Sequence, residues 1–345
     1  MSGLLNNSCA SDYLQDNSTV FCGATKCQGI TLKKWVEKRL KDLLPVPYFH
    51  EVFTLPSGIF PVCLLNQKVI YDLLFESAAE ALLLFGRDPK WLGGEIGFFG
   101  VLHTWGQTMS VHPHVHFVVA GGGISESGEW IWLKYRDKFL FPVQGLSRTF
   151  RRLFMAGLIE AYDEGRLRFC AETGEMAEKE RFNEWIGELE SKEWVVFSKA
   201  PFAGPEDVVR YVGRYTHRVA ISNARILSVG EDGVCFSYKD YRDGGKWKDM
   251  SLSADEFIKR FLYHVLPAGF HKIRHYGFLG NGKKKKLQDM RACLMIKEEL
   301  CAREASDLVR CPSCGSGTLV PALIVDRYGR VIIKSLRAVL GYDSS

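Results

Sequence analysis

VHPHVHFVVAGGG, residues 111–123, is the stretch around which the rest of the chain is arranged. After its proline the residues alternate and then become fully apolar, a pattern that predicts a buried β-strand ended by the glycines. Residues two apart in a strand point to the same face, so His114 and His116 lie side by side. Two such imidazoles form half of a metal site. A pair of hydrogen-bonded core histidines is the alternative interpretation.

A third histidine strengthens the metal interpretation. Residues 96–105 (IGFFGVLHTW) predict a second strand, and antiparallel pairing across the intervening loop sets His103 opposite His116, on the face of the histidine pair. Three imidazoles leave open positions on a divalent ion, as a catalytic rather than a structural metal requires. A one-residue slip in register would remove His103 from this face. The connecting loop holds two weaker candidates, Gln107 and His112.

Length and composition limit the class of protein. The chain has 345 residues, 46% hydrophobic and 25% charged, with a formal net charge of +5, values typical of a soluble globular protein of one large or two smaller domains. No apolar run approaches a membrane span of about 18 residues, and the N-terminus lacks the pattern of a signal peptide. We therefore expect a cytoplasmic protein with no membrane partner. Its ten cysteines should be free thiols or metal ligands.

Hydrophobic periodicity predicts an α+β fold. A central antiparallel sheet should contain strands near 48–55, 96–105, 113–120 and 194–199, with helices packed on one face. The other predicted elements are helices at 31–44, 60–85, 145–164, 178–192 and 254–265, an edge strand at 129–133, and a small meander at 224–229, 233–240 and 246–252.

A predicted helix beginning at residue 205 carries the second chemical pattern. Tyr211 and Tyr215 are four residues apart, so their phenols share one helix face. Arginines repeat at the same spacing on a neighbouring stripe: Arg210, Arg214 and Arg218. Phenols beside guanidinium groups suit attack on a phosphodiester, because the cations hold the phosphate and a phenolate is the nucleophile. An amphipathic helix with half-buried tyrosines and a solvated basic face is the alternative.

Residues 271–286 (HKIRHYGFLGNGKKKK) form a basic stretch without an acidic residue. Tyr276 and Phe278 alternate with its cations, which favours a platform for single-stranded nucleic acid, with cations for phosphates and rings for bases. A solvated loop and helix start is the alternative. The candidate DNA-binding cations are Lys272, Arg274, Lys283, Lys284, Lys285 and Lys286.

Cysteines cluster near both ends of the chain. Residues 1–30 contain three, too few for a zinc site made of cysteine alone, so this segment is a leader or the remnant of a zinc-binding module. Cys311 and Cys314 resemble half of a zinc knuckle, and a tight turn is the alternative. Two further cysteines could complete a four-cysteine site, although their spacing is unusual: Cys293 and Cys301.

Joined, these stretches resemble the two-tyrosine HUH endonucleases, in which a His-hydrophobic-His strand is followed by a helical Tyr-x-x-x-Tyr. Four phrases resemble more specifically the rolling-circle insertion-sequence transposases of the insertion-sequence ninety-one group, and the resemblance covers about residues 30 to 315. The phrases are LLPVPYFHEVFTLP (43–56), LHTWGQTMSVHPHVHFVVAGGG (102–123), YVGRYTHRVAISNARI (211–226) and LPAGFHKIRHYGFL (266–279).

The resemblance implies a central sheet of the HUH type and a role for each matching residue. His114, His116 and, as the third ligand, His103 would hold magnesium or manganese. Tyr211 and Tyr215 would be the nucleophiles that form a 5′-phosphotyrosine bond with single-stranded or hairpin element ends. Imidazole ligation by softness alone would favour zinc or manganese over magnesium.

The chain departs from the family pattern at its start, where only Cys22 and 27–29 match the end of the family's cysteine-rich module. The expected organisation is the leader or module remnant, a catalytic domain including the tyrosine helix, a meander with a basic helical region, and a CxxC tail: 1–30, 31–223, 224–310 and 311–345. A catalytically inactive, transposase-derived DNA-binding protein is the alternative function.

Overall fold

The computed structural model describes residues 43–134, 139–199, 220–283, 285–292 and 294, and two short strands, β10 (Ile324–Val325) and β11 (Val331–Ile333). Contacts divide the chain into two units, Met1–Leu287 and Gln288–Ser345. In the second unit β10 and β11 pair antiparallel. The predicted helix at 31–44 lies outside the described residues apart from its last two residues. The tyrosine helix and the two cysteines of the CxxC motif also lie outside them. The division into four predicted segments stays a prediction.

A six-stranded antiparallel sheet forms the centre of the first unit. Its order is β5-β1-β3-β2-β9, with β4 paired to the end of β3. This confirms the predicted α+β class and central sheet. The strands are β1 (Tyr48–Thr54), β2 (Glu95–Trp105), β3 (Val111–Ile124), β4 (Trp130–Trp132), β5 (Val196–Lys199) and β9 (Ile273–Gly277).

The prediction that three glycines end β3 is wrong, because the strand continues to Ile124. A Cβ at Gly121 would lie 2.8 Å from the carbonyl oxygen of Pro47, and one at Gly123 would lie 2.8 Å from that of Glu95. Glycine therefore allows neighbouring backbones to approach β3 closely on both sides. These glycines mark close packing within the sheet and not a turn.

Four helices cover one face of this sheet: α1 (Phe60–Leu65), α2 (Gln67–Arg87), α3 (Val143–Asp163) and α4 (Lys179–Ser191). Alternate strand residues such as Phe53, Val115 and Phe117 are fully buried against them. This confirms the prediction of helices on one face. No helix in the described part of the chain is long and apolar enough to cross a membrane.

The predicted helix at 60–85 is broken at Asn66, between α1 and α2. The Asn66 amide nitrogen donates to the carbonyls of Val62 and Arg168, and its side-chain oxygen accepts from the Arg168 backbone N–H. Its side chain thus satisfies backbone groups that a continuous helix would not reach. The break is a junction with a distant segment, which the hydrophobic pattern could not show.

The predicted meander forms a separate three-stranded sheet, β6 (Ile226–Gly230), β7 (Gly233–Asp240) and β8 (Lys246–Leu252), followed by α5 (Ala254–Leu262). The basic stretch after α5 contains β9, which the sequence analysis did not predict. Because β9 pairs with β2, the chain returns from the meander to the edge of the central sheet.

A carboxyl group lies inside the helix-covered face. Glu51 of β1 is 0% exposed, and Ser198 Oγ donates to its Oε1 at 2.5 Å. Burial raises the pKa of Glu51 to about 8, an effect that the hydrogen bond only partly offsets. The carboxyl group is therefore protonated in the folded chain at neutral pH.

This burial predicts a pH-dependent stability. The unfolded chain ionises Glu51 near the ordinary glutamate pKa of 4.5, while the folded chain holds the proton up to about 8. The contribution of Glu51 to stability is therefore complete below the ordinary pKa and is lost as pH rises through the raised one. Between these values the free energy of unfolding should fall by up to about 1.4 kcal/mol per pH unit. Glu51→Gln should flatten that fall in urea unfolding curves, whereas the exposed control Glu188→Gln should not. Equal slopes in Glu51→Gln and wild type would contradict this assignment.

Candidate metal centre

Three histidines converge on the sheet face opposite the helices. His103 lies on β2, and His114 and His116 lie two residues apart on β3. One ligand atom from each lies within 4.8 Å of the others. The ring centroids of His103 and His116 are 4.3 Å apart, and those of His114 and His116 are 4.9 Å apart. The structure thus brings together the residues that the sequence selected.

The predicted register between these strands is wrong by two residues. His103 pairs with His114, and Val101 pairs with His116, whereas the sequence analysis set His103 opposite His116. The pairing is also irregular between His103 and Trp105. Because side chains alternate with a period of two, a two-residue shift keeps each histidine on its face.

Backbone and side-chain contacts select which ring nitrogens can accept a metal. Nδ1 of His114 donates to the carbonyl oxygen of His112 at 2.6 Å, which leaves the lone pair on Nε2. Burial lowers the pKa of His114 to about 4, helped by the nearby His112 ring. Burial also lowers the pKa of His116 far below its usual value, with His114 and His50 adding to the effect. Both rings are therefore neutral, as metal ligation requires.

His50 belongs to this site and was missed by the sequence analysis. It lies on β1, is 2% exposed, and its Nε2 is 2.8 Å from Nδ1 of His116. A metal on Nε2 of His116 requires that Nδ1 carry the proton and donate it to His50, which fixes the tautomer and the ring orientation. Burial, followed by the charge of Lys199, lowers the pKa of His50 to about 4. The one sequence signal was that His50 lies on a predicted strand, but the sequence did not show which face of the sheet it would occupy.

The donor set fits a divalent ion. Among the described residues, three imidazole nitrogens lie within 4.8 Å of one another. Burial keeps at least two of these rings neutral, and hydrogen bonds fix which of their nitrogens carries the proton. Three protein ligands leave further positions for water or a phosphate oxygen. Imidazole ligation is compatible with manganese, cobalt and zinc.

An aromatic ring and a cation border the centre. Trp105 stacks on His103 with ring centroids 5.1 Å apart, and Lys272 Nζ lies 5.1 Å from the centre of the Trp105 ring. Burial lowers the pKa of Lys272 to about 8. This places one of the predicted DNA-binding cations close to the histidines.

Other predicted DNA-binding cations are already engaged. Arg274 faces the helices, pairs with Asp72 and lies 4.5 Å from the centre of the Phe75 ring. Lys283 and Lys286 both pair with Glu95. Lys285 is exposed at the surface. A DNA-binding role for each of them stays a prediction.

The two rings of the basic stretch differ in burial. Phe278 is 0% exposed and lies with its ring centroid 5.7 Å from that of Trp130. Tyr276 stacks on Phe98 at 5.0 Å. The full burial of Phe278 leaves its ring no face for a base, so that part of the prediction is wrong. Tyr276 is partly buried, and its role in base stacking stays a prediction.

The remaining predicted site residues lie outside the described part of the chain. They are Tyr211, Tyr215, Arg210, Arg214, Arg218, Lys284, Cys293, Cys301, Cys311 and Cys314. The distance from the tyrosines to the histidines therefore stays a prediction.

Two family models match the chain. A putative transposase family matches residues 97–286, and a transposase zinc-binding domain matches residues 5–55. The first match spans the three histidines and the Tyr-x-x-x-Tyr phrase. The second covers the N-terminal cysteines and favours the zinc-module interpretation of that segment.

Two proteins with similar sequences are described as transposases. The putative transposase y4qJ of Sinorhizobium fredii (strain NBRC 101917 / NGR234) is 46% identical over 319 residues, covering 87% of this chain and 79% of that protein. The transposase for insertion sequence element IS801 of Pseudomonas savastanoi pv. phaseolicola is 27% identical over 270 residues, covering 76% of this chain and 62% of that protein.

Among solved structures, the metal-free conjugative relaxase TrwC in complex with oriT DNA is 12% identical and has a TM-score of 0.25. The match covers 48% of this chain and 71% of that chain. A TM-score of this size does not by itself define a shared fold.

The contact between His50 and His116 predicts a loss of metal affinity when it is removed. His50→Leu deletes the acceptor that orients His116, and we expect the affinity for Mn²⁺ to fall about 10- to 100-fold, the usual effect of losing a group that orients a ligand. His50→Gln, which retains an acceptor, should lose less. Calorimetric titration measures both, with the exposed His271→Ala as the imidazole control. Wild-type affinity in His50→Leu would show that His116 does not need this contact.

Proposed function

We propose, since this chain belongs to the insertion-sequence ninety-one family of transposases, that it cuts and rejoins single DNA strands at element ends through a tyrosine-linked intermediate. The observation that carries the proposal is the convergence of three imidazoles on one sheet face within the segment that matches the transposase family. The Tyr-x-x-x-Tyr phrase of the same segment supplies the proposed nucleophiles.

The histidines would hold the divalent ion at the scissile phosphate. His103, His114 and His116 supply the nitrogens, while His50 and the His112 carbonyl keep two of the rings in orientation. When bound, a magnesium or manganese ion would polarise the phosphate and offset its charge. The neutral rings add no charge of their own, so the phosphate meets the full charge of the ion.

The covalent step is assigned to Tyr211 or Tyr215. The phenol loses its proton, and its oxygen bonds to phosphorus as the bond from phosphorus to the 3′ oxygen breaks. The departing oxygen takes up a proton and becomes a free 3′-hydroxyl. The 5′ end stays attached to the enzyme as a phosphotyrosine. A second tyrosine one helical turn away permits a second cleavage, or strand transfer, before the first strand is released.

A groove beside the histidines offers a path for the strand. It has a volume of about 470 Å³, and its lining includes Phe60, His112 and Arg242. The rings of Phe60 and His112 meet edge to face, with centroids 6.1 Å apart. Aromatic faces suit bases and a guanidinium suits a phosphate. We place the nucleotides next to the scissile phosphate in this groove.

The proposal predicts a covalent protein–DNA adduct that depends on both the tyrosines and the metal. Wild-type protein incubated with a labelled element-end oligonucleotide and Mn²⁺ or Mg²⁺ should form an adduct that survives denaturing electrophoresis. The double variant Tyr211→Phe/Tyr215→Phe should form none, because neither side chain retains a nucleophilic oxygen. His116→Ala should reduce the adduct sharply.

Tyr241→Phe is the matched control for this assay, because Tyr241 is 70% exposed on the turn between β7 and β8, and it should leave adduct formation unchanged. Wild-type protein that binds the oligonucleotide but forms no adduct with any metal would contradict the proposal. That result would support the alternative of a catalytically inactive DNA-binding protein.

A further inference from the structure

The turn between β2 and β3 joins the strand of His103 to the strand of His114 and His116. It closes with a hydrogen bond from the Gly106 N–H to the Ser110 carbonyl at 2.9 Å. Hairpin turns usually point their carbonyl groups into water. Here three successive carbonyls, those of residues 107–109, accept hydrogen bonds from side chains of the meander region.

Each carbonyl has a different donor. Arg225 Nη2 donates to the Gln107 carbonyl. Arg260 Nη1, on α5, donates to the Thr108 carbonyl at 3.2 Å. His264 Nε2, just after α5, lies 3.0 Å from the Met109 carbonyl. A carbonyl can only accept, so Nε2 carries the proton of that ring.

The three donors are themselves anchored. Arg225 Nε donates to the Ser237 carbonyl at 2.7 Å, and Arg260 Nε donates to Glu256 at 2.7 Å. His264 Nδ1 lies 3.1 Å from Thr104 Oγ1. Since Nε2 of His264 holds the proton, Nδ1 accepts from the threonine hydroxyl. The donors are therefore fixed to the meander region or to β2 before they reach the turn.

The side chain of Met109 packs against the meander region. It is 0% exposed and packs with Ala220, Ile221 and Phe236 in a cluster separate from the main core. Its backbone has φ = 56°, a left-handed conformation that residues other than glycine rarely adopt without compensating contacts. The burial and the three hydrogen bonds supply such contacts.

His264 connects this arrangement to the metal ligands. It binds Thr104, the residue after His103, and also the turn that leads to His114. Its ring lies 6.1 Å from Trp105, which stacks on His103. One side chain thus holds both β2 and the turn that leads into β3.

We propose that the meander and α5 act as a clamp on the β2–β3 turn, and that Arg225, Arg260 and His264 are positioning residues of the metal centre. The clamp holds the two ligand-bearing strands at the separation and twist that a shared ion needs. This inference rests on the proposed metal centre. It gives the three-stranded sheet β6–β8 a role in positioning the metal ligands.

The experiment compares Co²⁺ binding by full-length variants, because the visible absorption of Co²⁺ reports ligand geometry as well as affinity. Arg260→Met keeps the bulk of the side chain but removes its donors, Arg260→Lys keeps one donor, and His264→Leu removes both contacts of His264. Lys259→Met, an exposed neighbour of Arg260 on α5, makes the same change of charge as the control.

We expect Arg260→Met and His264→Leu to weaken Co²⁺ binding about tenfold, the lower end of the range for groups that orient ligands, and to alter the spectrum. Arg260→Lys should recover most of the affinity, and Lys259→Met should match wild type. Affinity and spectrum equal to wild type in both Arg260→Met and His264→Leu would overturn the clamp.

Thermal unfolding without metal separates this effect from loss of the fold. If His264→Leu does not unfold cooperatively, the comparison of Arg260→Met with Arg260→Lys tests the clamp instead. Failure of the proposed metal centre is distinguishable, because in that case the wild type would bind Co²⁺ no more tightly than His116→Ala does. Wild-type binding that His116→Ala abolishes but the clamp variants retain would overturn this inference alone.

Discussion

The alternation of side chains along two paired strands is the constraint on which the rest of this structure depends. His114 and His116 share a face because they are two residues apart, and His103 joins them because β2 pairs antiparallel with β3. A one-residue slip would turn His103 into the helix-covered core and leave a buried imidazole without a metal site. The close backbone packing at Gly121 and Gly123, and the apolar packing of Val115, hold that register.

The two faces of the central sheet have different chemistry. The helix-covered face is mostly apolar. Burial keeps the carboxyl group of Glu51 on β1 neutral there, and Arg274 of β9 pairs with Asp72 of α2. The opposite face carries imidazoles that burial keeps neutral as well. Desolvation thus acts on both faces in favour of uncharged groups. On the histidine face the rings are therefore uncharged, which suits an ion that brings its own charge.

The small sheet of the meander is joined to this arrangement by the turn at 106–110. Its hydrogen bonds to the turn go from side chains to backbone carbonyls and therefore depend on the shape of the turn. The packing of the Met109 side chain adds a contact that depends on the sequence of the turn. The chain belongs to a transposase family, and in the proposed strand cleavage the metal ligands would have to be held in place before the phosphate binds. The family match at residues 5–55 adds a zinc-binding module at the other end of the chain.

The sequence by itself determined the strand of His114 and His116, the shared face of the three histidines, the α+β class and the family. The strand and the fold class follow from period-two alternation and local hydrophobic pattern, which need no knowledge of distant contacts. The face of His103 also required an assumed antiparallel pairing of two neighbouring strands, and the family came from the resemblance of four phrases. Only the tertiary structure decided that β3 continues through its glycines, that β9 closes the sheet edge and buries Phe278, and that His50 supports His116. Each of these depends on which strand lies beside which, and pairing between distant segments leaves no periodic trace in either segment alone.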